Sequence, residues 1–175
     1  MGLVIVTGAN GGMGLAITRA MARMGGPVIM ACRNVERAAG IRDEVVRETG
    51  NGRVELHALD LASIASIRAF VKGLNGREVS VLINNAGTMC RDFTTTVDGL
   101  ETTVGVNYVG TWLLTNLLLP SMGLREKSRI INTSSLTSKM GRVDDKFFKL
   151  DPEHYRRFKA YPNSKLALLM FTIEL

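Results

Sequence analysis

The sequence predicts an α/β fold: a doubly wound parallel sheet with helices on both faces. Short apolar runs alternate along the chain with longer segments of helical period, the pattern of βαβ units. The first apolar run feeds directly into a glycine-rich turn and an apolar helix. The chain has 175 residues, 46% hydrophobic and 22% charged, which suits one globular domain with a full core and not a disordered chain.

Strands are expected over residues 3–7, 27–32, 53–58, 79–84 and 129–133. All are expected to be covered on both faces, as the strands of a doubly wound parallel sheet are. Helices are expected over residues 12–24, 35–49, 63–74 and 100–119, the last with a break near Asn107. The first carries Leu15, Ile17, Ala20 and Met21 at helical spacing. A final helix is expected from Pro162 to the end, because proline suits a first helical turn. The charged, irregular stretch at about 141–159 reads as an insertion within a single domain of residues 1–175.

Charge narrows the partners. The 22 Lys and Arg residues against 16 Asp and Glu give +6, spread along the chain with only short clusters such as Arg156-Arg157. That distribution argues against a nucleic-acid stripe and suits a nucleotide phosphate equally well. Cys32 and Cys90 form neither a disulfide framework nor a spacing of metal ligands. The expectation is a cytoplasmic protein without a metal. The longest apolar stretch, 112–119, contains Thr115 and Asn116 and falls short of the roughly 20 residues a membrane span needs.

The chemistry starts at Thr7-Gly8-Ala9-Asn10-Gly11-Gly12-Met13-Gly14, between the first strand and first helix. Glycines there let the backbone turn tightly and approach a pyrophosphate, and the amides at the helix start favour an anion. The bland alternative is a loop that merely closes a tight βα turn. In a Rossmann-type unit the end of the second strand meets the adenosine ribose, and here it holds Cys32-Arg33-Asn34. An Asp would suit the free hydroxyl of NAD, whereas the Arg33 guanidinium suits the 2′-phosphate of NADP. NADP(H) is therefore expected over NAD(H), the alternative being that Arg33 is a solvated surface side chain.

The TGxxxGxG spacing of this loop resembles that of the short-chain dehydrogenase/reductase family. The resemblance implies cofactor contacts from Thr7, Gly8, Asn10, Gly12, Met13 and Gly14, from Arg33 and Asn34, and from Asp60 and Leu61 after the third strand. It adds Asn85, Ala86 and Gly87 from the Asn-Asn-Ala-Gly run after the fourth strand. Without it, Asp60 reads as a helix N-cap and Asn85-Ala86-Gly87 as a turn. The resemblance also implies a catalytic Asn, Ser, Tyr and Lys, matched by Asn107, Ser135, Tyr161 and Lys165, the last two also touching cofactor. Ser134 is the neighbouring alternative to Ser135.

YxxxK occurs twice, as Tyr155 with Lys159 and as Tyr161 with Lys165. Spacing by four puts ammonium beside phenol in either pair, an arrangement that favours phenolate. Tyr161 is preferred because an apolar helix, Leu166 to Leu169 and Phe171, follows it, whereas Tyr155 sits among His154, Arg156 and Arg157. In the roles so implied, Tyr161 exchanges a proton with substrate oxygen and Ser135 hydrogen-bonds the carbonyl. Lys165 promotes the phenolate and holds the nicotinamide ribose, and Asn107 holds a water relaying protons to Lys165.

Ser135 and Tyr161 are 26 positions apart, about twice the separation usual in the family, which marks the inserted segment. The insertion, Ala31-Cys32-Arg33-Asn34 and Ala160-Tyr161 resemble the retinol-dehydrogenase and protochlorophyllide-reductase branches. By the same resemblance the chain is C-terminally incomplete, with two further strands and most of the substrate pocket expected beyond Leu175. The implied function is hydride transfer between NADP and a small-molecule carbonyl or alcohol, with homo-oligomerisation open to the complete protein. The competing reading is a non-catalytic NADP-binding, redox-sensing module.

Overall fold

The apolar runs form one parallel sheet in the computed structural model, which describes residues 2–123, 128–145, 147–148 and 150–175. Its strands are β1 (Leu3–Thr7), β2 (Val28–Cys32), β3 (Val54–Ala58), β4 (Val79–Asn84) and β5 (Arg129–Asn132), in the order β3-β2-β1-β4-β5. The chain winds outward from β1 through β2 to β3, then crosses back to lay β4 on the other side of β1. Strand order therefore reverses between β1 and β4, opening a crevice at their carboxyl ends. Register is fixed by pairs such as Val4↔Val28 and Ile83↔Ile131.

The helices are α1 (Gly12–Arg23), α2 (Val35–Thr49), α3 (Ile64–Gly73), α4 (Thr102–Val104), α5 (Thr111–Met122) and α6 (Arg157–Glu174). A π-helical segment, Gly105–Gly110, joins α4 to α5, and a 3₁₀ helix, Leu136–Met140, follows β5. Alternate residues of β1 serve opposite faces, as the two-residue strand period requires. Leu3 and Ile5 pack with Ile67 and Phe70 of α3 and Leu114 and Leu118 of α5. Val4 and Val6 pack with Ala22 of α1 and Ala38 and Val45 of α2. Each fully buried Ile or Leu contributes about 1.5–3 kcal/mol.

The structure departs from the sequence expectations in four places. Only β1 and β2 are buried at every residue; β3 and β5 flank the sheet and are partly exposed, with Ile131 at 48%. The helix expected over 100–119 starts only at Thr102, capped by Glu101, whose carboxylate accepts from the Thr103 and Val104 amides at 2.8 Å each, and its expected break near Asn107 is the π-helical segment. Its last piece runs past Pro120 to Met122.

The final helix begins at Arg157, five residues before Pro162. Proline removes one backbone hydrogen bond there, and the buried helix face offsets that cost. Pro162 is itself buried, and Gly141 lies so close to its carbonyl that a Cβ on Gly141 would come within 2.6 Å. The insertion is irregular but anchored: Phe147 is buried with Val104 and Ala167, edge-on to the Tyr108 ring. Lys146 and Lys149 of the insertion lie outside the described residues. Among the described residues no helix is long and apolar enough to cross a membrane, and no cluster of metal-ligating side chains occurs.

Candidate active site

A cleft of about 560 Å³ opens at the crevice between β1 and β4. One end is the glycine turn. Gly8 (φ +63°) and Gly12 (φ +48°) adopt left-handed backbone, which glycine takes without strain. Gly14 lies in the first turn of α1, where an added Cβ would run into the Gly8 carbonyl oxygen and come within 2.5 Å of Asn85 Nδ2. No side chain caps α1, so its first amides stay available to an anion.

The expected contacts Thr7, Gly8, Asn10, Gly12, Met13, Gly14, Arg33, Asp60, Leu61, Asn85, Ala86 and Gly87 all line this cleft. Asn34 does not: its side chain accepts from the Arg37 amide at 2.8 Å and caps α2. Asp60 both lines the cleft and shapes the turn before α3, its Oδ1 accepting from the Ala62 amide at 2.9 Å. A glycine cradle that a side chain would fill, at the start of an uncapped helix, fits the pyrophosphate of a nicotinamide dinucleotide.

The cradle is tied to the neighbouring strand. Thr7 Oγ1 accepts from the amides of Asn85 at 3.1 Å and Ala86 at 3.0 Å, and Asn85 Nδ2 donates to Thr7 O at 3.0 Å. Asn84, the first residue of the Asn-Asn-Ala-Gly run, is buried, its Nδ2 donating to Thr115 Oγ1 at 3.0 Å and Asn132 Oδ1 at 2.8 Å. These bonds fix where the chain after β4 runs relative to the glycine turn.

At its other end the cleft is lined by Gly87, which two of the four catalytic candidates, Asn107 and Lys165, approach; neither they nor Ser135 and Tyr161 line the cleft itself. A Cβ on Gly87 would lie 3.3 Å from Asn107 Oδ1 and 3.4 Å from Lys165 Nζ, so both side chains pack close against it. Asn107, buried in the π-helical segment, accepts from Thr88 N–H at 2.7 Å and donates to Thr88 O at 2.8 Å and Ser164 Oγ at 3.0 Å. Both its amide protons are thus committed to protein partners. The side chain thereby bridges Thr88 to Ser164 of α6.

Lys165 is buried, and its Nζ donates to Thr133 O at 2.7 Å. Burial pushes its ammonium below the ordinary lysine range. Nζ stands 5.8 Å from the ring centroid of half-buried Tyr161, one turn earlier on α6. Ser135 Oγ accepts from the Thr137 amide at 3.2 Å and lies 2.9 Å from Thr137 Oγ1, whereas Ser134 Oγ donates to the Lys165 carbonyl at 3.2 Å. Ser134 is thus engaged with α6, and Ser135 is the serine at the head of the 3₁₀ helix.

The two tyrosines separate by burial, not by the proline that was expected to divide them. Tyr155 precedes α6 and is buried, its hydroxyl donating to Cys90 O at 2.8 Å, while Lys159 is exposed. Thr88, Thr133, Ser164, Thr103 and Cys90 also shape the site and were missed. They act largely through backbone groups or a hydroxyl in an ordinary loop or helix, and nothing in residue type or spacing sets them apart.

Fold and cleft together define a Rossmann-type α/β domain with a glycine-rich first βα turn. The short chain dehydrogenase family model matches residues 2–175. Human retinol dehydrogenase 11 is 44% identical over 176 residues, covering 99% of this chain and 55% of that protein. Human retinol dehydrogenase 13 is 44% identical over 174 residues, covering 98% and 53%. A crystal structure of an uncharacterized protein from Mycobacterium paratuberculosis superposes with a TM-score of 0.85 at 38% identity, covering 99% of this chain and 61% of that one. A metagenomic short-chain oxidoreductase in complex with NADP superposes with a TM-score of 0.78 at 30% identity, covering 99% and 74%. The chain belongs to the short-chain dehydrogenase/reductase family and resembles its retinol dehydrogenases. It spans about half the length of those curated relatives.

Proposed function

We propose that the chain carries the cofactor-binding and catalytic residues of an NADP-dependent oxidoreductase that interconverts a small carbonyl and its alcohol. The observation that carries this reading is the convergence of Asn107 and Lys165 on Gly87, which lines a cleft whose far end is the glycine cradle and Arg33. The cradle amides would hold the pyrophosphate of NADP, Arg33 the 2′-phosphate and Lys165 the nicotinamide ribose. Bound there, the nicotinamide supplies or accepts the hydride.

The remaining work falls to the protein's own side chains. Tyr161 exchanges the proton with the substrate oxygen. Its partner one turn on, Lys165, carries the charge that favours phenolate. With Thr137 donating to Ser135 Oγ, the Ser135 proton is left to hydrogen-bond the same substrate oxygen. Asn107 fixes Thr88 and Ser164, and so the distance between the chain after β4 and α6. The two retinol dehydrogenases make a long-chain aldehyde and its alcohol the first substrate pair to try.

The test is NADPH oxidation by the chain with retinaldehyde and with simple ketones, beside a Tyr161→Phe control. Turnover by the wild type that the control lacks is the expected result. NADPH binding without turnover on any carbonyl would turn the reading toward a redox-sensing binding module.

A further inference from the structure

The second tyrosine match has no part in the chemistry above, yet Tyr155 is only 7% exposed. Its ring packs edge-on to Phe93, centroids 5.9 Å apart. Its hydroxyl donates to Cys90 O at 2.8 Å and lies 3.4 Å from Thr103 Oγ1, which accepts from Cys90 N–H at 3.3 Å. With Thr103 donating to Tyr155, the three groups close a ring of hydrogen bonds, each polarising the next. Burial, partly offset by the Thr103 hydrogen bond, pushes the Tyr155 phenol up from a value already well above neutrality, and the hydroxyl donates.

Asn107 treats Thr88 in the same way, bonding both its N–H and its C=O. Alternate residues after β4 thus have both backbone groups gripped by side chains instead of by a neighbouring strand. Gly87, Thr88 and Cys90 all line the cleft, and Gly87 faces Lys165. Thr103 and Asn107 come from the α4 and π-helical segments, but Tyr155 comes from the insertion, which Phe147 pins against Val104 and Ala167.

We propose that Tyr155 is a positioning residue: through the Cys90 backbone it holds the Gly87–Cys90 stretch against the Lys165 half of the bound cofactor. The insertion thereby contributes to cofactor affinity. This inference rests on the NADP reading above.

The test compares two ligands on the whole chain by fluorescence titration: NADPH, and adenosine 2′,5′-bisphosphate, which carries the 2′-phosphate but ends short of the nicotinamide. Tyr155→Phe keeps the ring against Phe93 and removes only the hydroxyl. Its NADPH dissociation constant should rise about three- to tenfold, the worth of one hydrogen bond, with bisphosphate binding within about twofold of wild type. Thr103→Val, which preserves shape, should act in the same direction, and the double variant should fall short of the product of the two. Should Tyr155→Phe fail to fold, Thr103→Val carries the same comparison.

Unchanged NADPH affinity would overturn the inference, as would equal weakening of both ligands, which is what mere loss of structure produces. Both results would leave the NADP reading standing. A wild-type chain that binds neither ligand would overturn that reading and the inference with it.

Discussion

The two ends of the cleft are built by different means. At the glycine end, position is dictated by backbone: Gly8 and Gly12 turn left-handed, and Gly14 packs where no Cβ fits. At the Lys165 end, position is assembled from side chains on separate elements, with Asn107, Ser134 and Thr133 meeting α6 by hydrogen bonds. A site made of backbone breaks sharply when one glycine gains a methyl group. A site made of side chains loses chemistry residue by residue while the fold stands.

The sharpest break of that contrast is Tyr161→Phe. Turnover should fall by about 10²–10⁴-fold, the usual worth of a general acid–base, with NADPH affinity nearly unchanged. Steady-state kinetics beside a binding titration measure both, and lost affinity instead of lost turnover would move Tyr161 from chemistry to binding. Gly14→Ala should do the opposite. Its Cβ displaces the Gly8 carbonyl and Asn85, costing about 1–3 kcal/mol of stability and weakening NADPH binding, and a chemical melt beside the titration reads the two effects.

Arg33→Asp comes next. Removing a charge-assisted contact worth about 1.5–3 kcal/mol should lower the NADPH to NADH affinity ratio by about ten- to a hundredfold. A variant that keeps the wild-type preference would return Arg33 to the solvated surface.

The smallest effect is in pH. Burial holds the Lys165 pKa down, so the folded chain releases this proton at lower pH than the unfolded chain, whose lysines titrate near 10.4. Between those two values the unfolded chain binds more protons, and stability rises with pH. Relative to Lys165→Met, the wild-type melting midpoint should therefore be lowest below the depressed value and climb until about 10.4. A flat difference would mean that Lys165 is solvated.

The same contrast explains what was legible in the sequence. The parallel sheet and the glycine turn were readable because apolar runs and glycines report backbone constraints directly. The Lys165 end was readable only as a family pattern, and its working parts were not. Thr88, Cys90 and Thr133 serve through backbone atoms, which any residue would supply at those places. Pro162 misled for a related reason: local propensity puts a proline in a first turn, but burial of α6 against the 3₁₀ segment tolerates it a turn later. Tyr155 misled through its charged neighbours in sequence, although its ring is turned inward onto Phe93.

The most direct test of the central claim is a parallel fluorescence titration of the chain with NADPH and NADH. Saturable binding with NADPH preferred by about tenfold or more is predicted, since Arg33 adds one charge-assisted contact to a cradle common to both cofactors. Binding of neither cofactor, or tighter binding of NADH, would contradict it.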